Sequence, residues 1–235
     1  GFICDWRNKK EKLKFFLDTA NIAQIKDAND VGVLDGVTTN PTLISMENET
    51  PEELYTTICN LVKGPVSIET TSNDTDEIVR QGQSFQKYGK NVYVKVANTK
   101  PGLKAVKILE DSGLPCNVTL TFSATQAFLA AKAGATVVSP FIGRLDDISL
   151  DGMNLIKDIL AMYKPYNFKT GVLVSSIRHP VHVVEAAKLG AQLATMPYKI
   201  FEMMFKHPLT DIGYARFMKD WESVKAKLDQ KSGSQ

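Results

Sequence analysis

The stretch Lys14-Phe15-Phe16-Leu17-Asp18-Thr19-Ala20-Asn21-Ile22-Ala23-Gln24-Ile25 separates two architectures. Its first half is a short apolar run, which reads as a strand buried on both faces, and its second half begins an amphipathic helix. An open doubly wound sheet that binds a nucleotide calls for a glycine-rich phosphate loop at this junction. Residues 18–25 contain no glycine. The same strand–helix unit repeated eight times closes instead into a barrel, and the rest of the chain favours that reading.

Working outward, seven further apolar runs rich in Val, Ile, Phe and Thr lie at 36–39, 66–70, 92–96, 116–121, 136–140, 169–175 and 193–196. Together with 14–19 they predict eight parallel strands, recurring every ~20–35 residues with room for a crossover helix between them. Helix starts are marked: Thr50-Pro51-Glu52-Glu53 has the form of a capping box, and Ser123-Ala-Thr-Gln126 repeats it with Gln. The Ala-rich stretch ending at Lys132-Ala133-Gly134 stops at a glycine suited to a left-handed cap. Ile156, Ile159, Leu160 and Tyr163 share one helical face, as do Phe217, Trp221, Val224 and Leu228. No Pro/Gly/Ser-rich linker interrupts the chain. The expected fold is α/β, one (β/α)8 TIM barrel over 14–235 with an additional C-terminal helix near 211–228, preceded by an N-terminal extension over 1–13.

Composition narrows the function. The 235 residues are 43% hydrophobic and 23% charged with a net charge of +2, so a surface that coats nucleic acid is not expected. A local basic pocket for one phosphate remains compatible with that balance. Cys4, Cys59 and Cys116 are odd in number and lack a CxxC, which reads as reduced thiols of a cytoplasmic protein rather than a disulfide framework or zinc site. No apolar run approaches the ~20 residues of a membrane span, and the first 14 residues lack the apolar segment of a secretory signal. The N-x-[ST] triplets at Asn48, Asn73 and Asn117 are read as chance matches.

In a barrel of this kind the active site forms at the C-terminal ends of the strands. Those ends carry Asp18, Asn40, Glu69, Lys95, Thr119 or Thr121, Ser139 and Ser176. Asp18 and Asn40 are also suited to cap the helices that follow them. Lys95 stands out inside the apolar strand Asn91-Val-Tyr-Val-Lys-Val96. It either snorkels to the rim or pairs with a carboxylate, or it serves as an amine nucleophile, since burial disfavours the charged form. In the second case Glu69 and Asp18 supply the proton transfers of Schiff-base chemistry. Downstream, Ser139-Pro-Phe-Ile-Gly-Arg144 and Ser175-Ser-Ile-Arg178 place two arginines on neighbouring late loops, a pattern suited to a phosphate. Pairing of Arg144 with Asp146 or Asp147 is the structural alternative. His179 and His182 read as a helix-start pair without the further residues a metal site needs. Walker A, HExxH, GxSxG and GxGxxG motifs are absent.

Phe16-Leu-Asp-Thr-Ala20, Gly36-Val-Thr-Thr-Asn-Pro-Thr42, Val94-Lys-Val96, Ser139-Pro-Phe-Ile-Gly-Arg-Leu-Asp146 and Ser175-Ser-Ile-Arg178 together resemble the small transaldolase / fructose-6-phosphate aldolase family, over about residues 14 to 221. The resemblance implies a class I, Schiff-base barrel that uses no metal and no cofactor, acts on sugar phosphates, and assembles as a homo-oligomer, a pentamer or a decamer. It assigns Lys95 as nucleophile, Asp18 as the acid/base at the sugar hydroxyl, and Glu69 and Thr119 to the water of iminium formation and hydrolysis. Thr38, Asn40 and Ser139 would bind the dihydroxyacetone hydroxyls, and Arg144, Ser176 and Arg178 the phosphate. Glu69 and Phe141 stand where aldolase members carry Gln and Tyr, which points to the transaldolase branch; Phe141 lining the wall and Glu69 merely pairing with Lys95 are the simpler roles. Ala97 replaces a Pro that many relatives carry, so a local backbone difference beside Lys95 is expected.

Overall fold

Short strands with no polar face need cover on both sides, and the computed structural model, which describes residues 13–232, supplies it by closing the sheet. The strands are β1 (Lys14–Asp18), β2 (Gly36–Thr38), β3 (Val66–Glu69), β4 (Val92–Ala97), β5 (Cys116–Thr121), β6 (Val137–Pro140), β7 (Gly171–Val174) and β8 (Leu193–Met196). Each is parallel to its neighbours, and β8 returns to β1 to complete an eight-stranded barrel. The helices are α1 (Ile22–Asp30), α2 (Pro41–Ile44), α3 (Pro51–Leu61), α4 (Thr75–Ser84), α5 (Lys100–Asp111), α6 (Ala124–Lys132), α7 (Ile142–Asp146), α8 (Gly152–Tyr166), α9 (Pro180–Leu189), α10 (Tyr198–Met203) and α11 (Pro208–Ser232). The described chain falls into two compact units, one ending at Phe201 and containing the barrel, the other starting at Glu202 and containing α11.

All eight sequence-expected strands are present, some trimmed by one or two residues at their ends. The first trim is physical: Thr70 and Thr39 follow their strands with backbone bonds to Lys95 and Ser67, but no continuous ladder extends past them. At β4 the change runs the other way. Pairing continues through Ala97, in register with Thr119, and the Asn98 N–H donates to Thr119 C=O at 2.9 Å. The predicted C-terminal helix also begins earlier, at Pro208, a residue suited to a first helical turn. Of the predicted N-terminal extension over 1–13, all but Leu13 lies outside the described residues.

The expected caps form. Thr50 and Glu53 exchange both bonds of the capping box at the start of α3. Ser123 accepts from the Gln126 N–H, while the Gln126 side-chain Oε1 accepts from Phe122 N–H at 2.8 Å, one residue earlier than a closed box. Gly134, at φ +86°, ends α6 with Ala135 N–H bonded to Ala130 C=O and Gly134 N–H to Ala131 C=O. At the opposite end of β5 and β6 from the predicted site, Glu110 of α5 accepts from the N–H groups of Cys116 and Thr136, tying both strand starts to one helix.

Barrel interiors alternate with the strand period of two. Phe16, Tyr93, Val137, Leu173 and Leu193 pack as one buried apolar cluster. Gly36 belongs to this floor because a Cβ there would lie 2.5 Å from the Phe16 ring. Two residues further along each of those strands stand Asp18, Lys95, Ser139, Ser175 and Thr195. The apolar floor therefore carries a polar layer directly above it. Among the described residues, no helix is long and apolar enough to cross a membrane.

Candidate active site

The register that closes the barrel also brings the chemistry together. Glu69 and Lys95 are opposed on β3 and β4, and Lys95 is opposed to Asn117 on β5. Lys95 is 4% exposed. Its Nζ lies 3.1 Å from Glu69 Oε2 and donates to Thr39 C=O at 2.9 Å. The snorkelling alternative is therefore wrong: the side chain stays inside, where only a paired ammonium or a neutral amine is tolerable. The pairing alternative is seen, and it places a proton acceptor against the amine.

Around this pair runs a network that the motif reading left out. Asn117 Nδ2 donates to Ser67 Oγ at 3.1 Å, and its Oδ1 accepts from Ser139 Oγ at 2.6 Å. Ser139 is thus held by Asn117, which is itself 1% exposed. The signal for Asn117 was available: an Asn is disfavoured in a buried strand, and it sits two residues before Thr119 on the same face. Its burial also agrees with reading its N-x-[ST] triplet as chance.

A bulge sets Thr119 and Thr121 in different surroundings. The β5–β6 register shifts between Val118 and Thr121, and Leu120 adopts φ +54°. Thr121 Oγ1 consequently accepts from Asn98 Nδ2 at 2.9 Å. Thr119 is fully buried, and its Oγ1 has no hydrogen-bond partner among the described residues. A buried hydroxyl without a partner is uncommon, and a site for water or a substrate hydroxyl is its natural explanation.

Asp18 and Thr38 are register partners on β1 and β2, and Thr38 Oγ1 donates to Asp18 Oδ1 at 2.7 Å. Asp18 does not cap α1; Asn21 does. Asn40 caps α2, with its Oδ1 accepting from Leu43 N–H at 2.9 Å, so its capping role is real and its amide NH2 is left over.

The late loops form the other half. Arg144 makes no ion pair with Asp146 or Asp147; its guanidinium lies 5.3 Å from the Phe141 ring centre, and Phe141 packs edge-on against Phe122. Arg178 pairs with Asp147 at 2.7 Å. Asp146 turns to His182 Nε2 at 3.1 Å and accepts from Gly152 N–H. His182 Nδ1 accepts the Arg178 N–H at 3.2 Å, which fixes the neutral tautomer with its proton on Nε2. Burial, with His179 stacked alongside, holds the imidazole below its usual range. Ser176 adopts φ +60°, an uncommon conformation for a non-glycine residue. Its carbonyl lies so close to Gly143 that a Cβ there would meet it at 2.1 Å, and Arg178 Nε at 2.5 Å. The loops carrying Arg144 and Arg178 are thereby pressed together. His179 begins α9 as its N-cap residue, as the helix-start reading expected.

Cys59 and Cys116 are buried and free. Burial pushes the Cys59 thiol up to about 12 and raises that of Cys116 as well, so neither is a nucleophile at neutral pH.

A mandelate oxidase mutant solved with an FMN adduct shares the fold, with a TM-score of 0.55 at 17% identity; the match covers 76% of this chain and 60% of that one. Curated relatives are far more similar. The chain is 56% identical over 215 residues to a protein of Aquifex aeolicus (strain VF5) named "Probable transaldolase", covering 92% of this chain and 99% of the relative. A protein of the same name from Nitrosopumilus maritimus (strain SCM1) is 55% identical over 216 residues, covering 92% and 97%. The family model described as Transaldolase/Fructose-6-phosphate aldolase matches residues 15–232. This barrel, with its buried, carboxylate-paired lysine and two late-loop arginines, belongs by its sequence to the Transaldolase/Fructose-6-phosphate aldolase family.

Proposed function

We propose that the protein is a transaldolase, moving a dihydroxyacetone unit from sedoheptulose 7-phosphate to glyceraldehyde 3-phosphate to give erythrose 4-phosphate and fructose 6-phosphate. The observation that carries this reading is Lys95, buried at the barrel centre with Glu69 at 3.1 Å and a proton-accepting Asp18 on the same polar layer.

Glu69 takes the proton from Lys95, and the amine adds to the ketose carbonyl. Loss of water, held by Glu69 and the open hydroxyl of Thr119, gives the iminium. Asp18 then takes the proton of the sugar hydroxyl beside the scissile bond. The C–C bond breaks, and its electron pair flows to the iminium nitrogen as an enamine. The released aldose leaves, the acceptor aldehyde enters, and the steps run in reverse. Asn40 and Ser139 bind the hydroxyls of the retained unit, with Thr38 beside them; Arg144, Ser176 and Arg178 take the phosphate.

Glu69 and Phe141 support the transaldolase branch. A phenol over the enamine could protonate it and release free dihydroxyacetone, whereas a phenylalanine leaves it intact for the acceptor. The polar layer is reached by sugar phosphates, and we take the working form to be a homo-oligomer, a pentamer or a decamer, in a reducing, cytoplasmic compartment. The exposed apolar row of α11 and the free buried thiols support those two readings.

The deciding experiment supplies fructose 6-phosphate with and without erythrose 4-phosphate. Turnover should depend on the acceptor, and borohydride added with donor alone should leave a mass adduct on Lys95. Abundant free dihydroxyacetone without acceptor would overturn the transaldolase reading in favour of the aldolase one. Absence of the adduct would overturn both.

A further inference from the structure

One hydroxyl in the polar layer has no role in the reaction described above. Thr195 lies on β8, 3% exposed, two residues beyond Leu193 of the apolar floor. Its Oγ1 is 2.6 Å from Thr38 Oγ1, and Thr38 Oγ1 is 2.7 Å from Asp18 Oδ1. β1 runs between β2 and β8, so the contact between Thr38 and Thr195 joins the two strands that flank Asp18.

Proton counting orients this chain. A hydroxyl owns one proton. A carboxylate can only accept, so the Thr38 proton points to Asp18. Thr38 must then accept, and Thr195 must donate to it. The result is a one-way relay, Thr195 O–H to Thr38 O–H to Asp18 Oδ1. Each donor in such a chain is polarised by the one behind it, and the last bond is to a charged acceptor in a buried site. The relay occupies Oδ1 only; Oδ2 has no hydrogen bond among the described residues.

We propose that Thr195 is a positioning residue for C–C bond cleavage, acting through Thr38 to hold the Asp18 carboxylate with Oδ1 engaged and Oδ2 free to take the sugar-hydroxyl proton. This rests on Asp18 being the acid/base. It gives Thr38 a second duty, since its only proton is directed at Asp18 and its contact with substrate is limited to accepting. Lys95 and Glu69, the charged groups on β4 and β3, are paired to each other at 3.1 Å and play no part in the relay. The role of Thr195 therefore falls on cleavage and leaves Schiff-base formation alone.

The test compares Thr195→Val, which keeps the shape and loses the hydroxyl, with Thr195→Ser, which keeps the hydroxyl and loses a methyl. Thr195→Val should lower kcat about tenfold, the factor expected for one hydrogen bond in a chain to a charged group. Its KM for fructose 6-phosphate and its borohydride-trapped Lys95 adduct should match the parent enzyme. Thr195→Ser should recover most of the lost kcat. Thr195→Ala provides a second hydroxyl-free variant should the valine methyl disturb Thr38, and it should show the same split. Parent-like kcat in both hydroxyl-free variants overturns the proposal, as does a serine variant no better than valine, or a loss of adduct formation equal to the loss of turnover. Asp18→Asn separates the two layers of the argument. If it retains full turnover, the acid/base reading fails and the relay with it; if it is inactive while Thr195→Val is unimpaired, the relay alone fails.

Discussion

A single strand position decides whether a side chain belongs to the floor or to the chemistry, and Lys95 is the clearest instance. Its identity was legible as an anomaly in an apolar run, and so was Glu69 beside it, because register opposes them. What motif reading left out was the support around them: Asn117, Ser67 and Thr195 make contacts between strands far apart in the chain. Arg144 shows the same limit. Two carboxylates lie within three residues of it, yet the loop turns them toward Arg178 and His182 and leaves Arg144 over the Phe141 ring. That ring is then what orients the guanidinium. Phe141→Leu should raise the KM for sugar phosphates several-fold, consistent with losing a cation–π contact of about 1 kcal/mol, while kcat changes less. Steady-state kinetics with a phosphorylated and a non-phosphorylated ketose measure it, and only the phosphorylated substrate should be affected.

At the level of elements, strand and helix order were readable because each βα unit carries its own start and stop signals. The bulge in β5 was not, since Leu120 in a left-handed conformation has no sequence marker. Nor was the close packing of the two late loops, which depends on Gly143 meeting the Ser176 carbonyl. The join between α7 and α9 rests on His182, whose Nδ1 must stay unprotonated to accept the Arg178 N–H. Burial lowers its protonation tendency in the folded chain relative to the 6.5 of the free group. Just below that value the unfolded chain binds the extra proton and the folded chain does not, so stability rises with pH there and is lost as pH falls. The melting temperature should drop between pH 7.5 and 5.5 by about 1–3 °C more in the parent than in His182→Gln, read from paired thermal scans. Equal slopes in the two proteins would remove His182 from the account.

For the whole molecule, the barrel was legible from strand count and from a missing glycine loop, whereas the surface of α11 was legible only as an apolar stripe. Phe217, Trp221, Val224 and Leu228 keep helical spacing on α11 and are all exposed, Trp221 at 51%. Spacing reveals a face but not its partner. If copies of the chain cover that face, Trp221→Glu should reduce the sedimenting mass below that of the parent protein, with circular dichroism unchanged; identical mass would remove the stripe from the interface. The floor-and-layer arrangement has a further consequence, for tolerance of length change. In β1, β4, β6 and β8, and at Ser175 just past β7, the polar residue stands two positions beyond the apolar one, so inserting or deleting one residue between them would put the two on opposite faces of the barrel. The loops and helices can grow or shrink under no such rule. Variation in length among descendants of this chain should therefore be confined to the segments between strands, and the short runs of three to six residues that build the barrel should be copied without a gap.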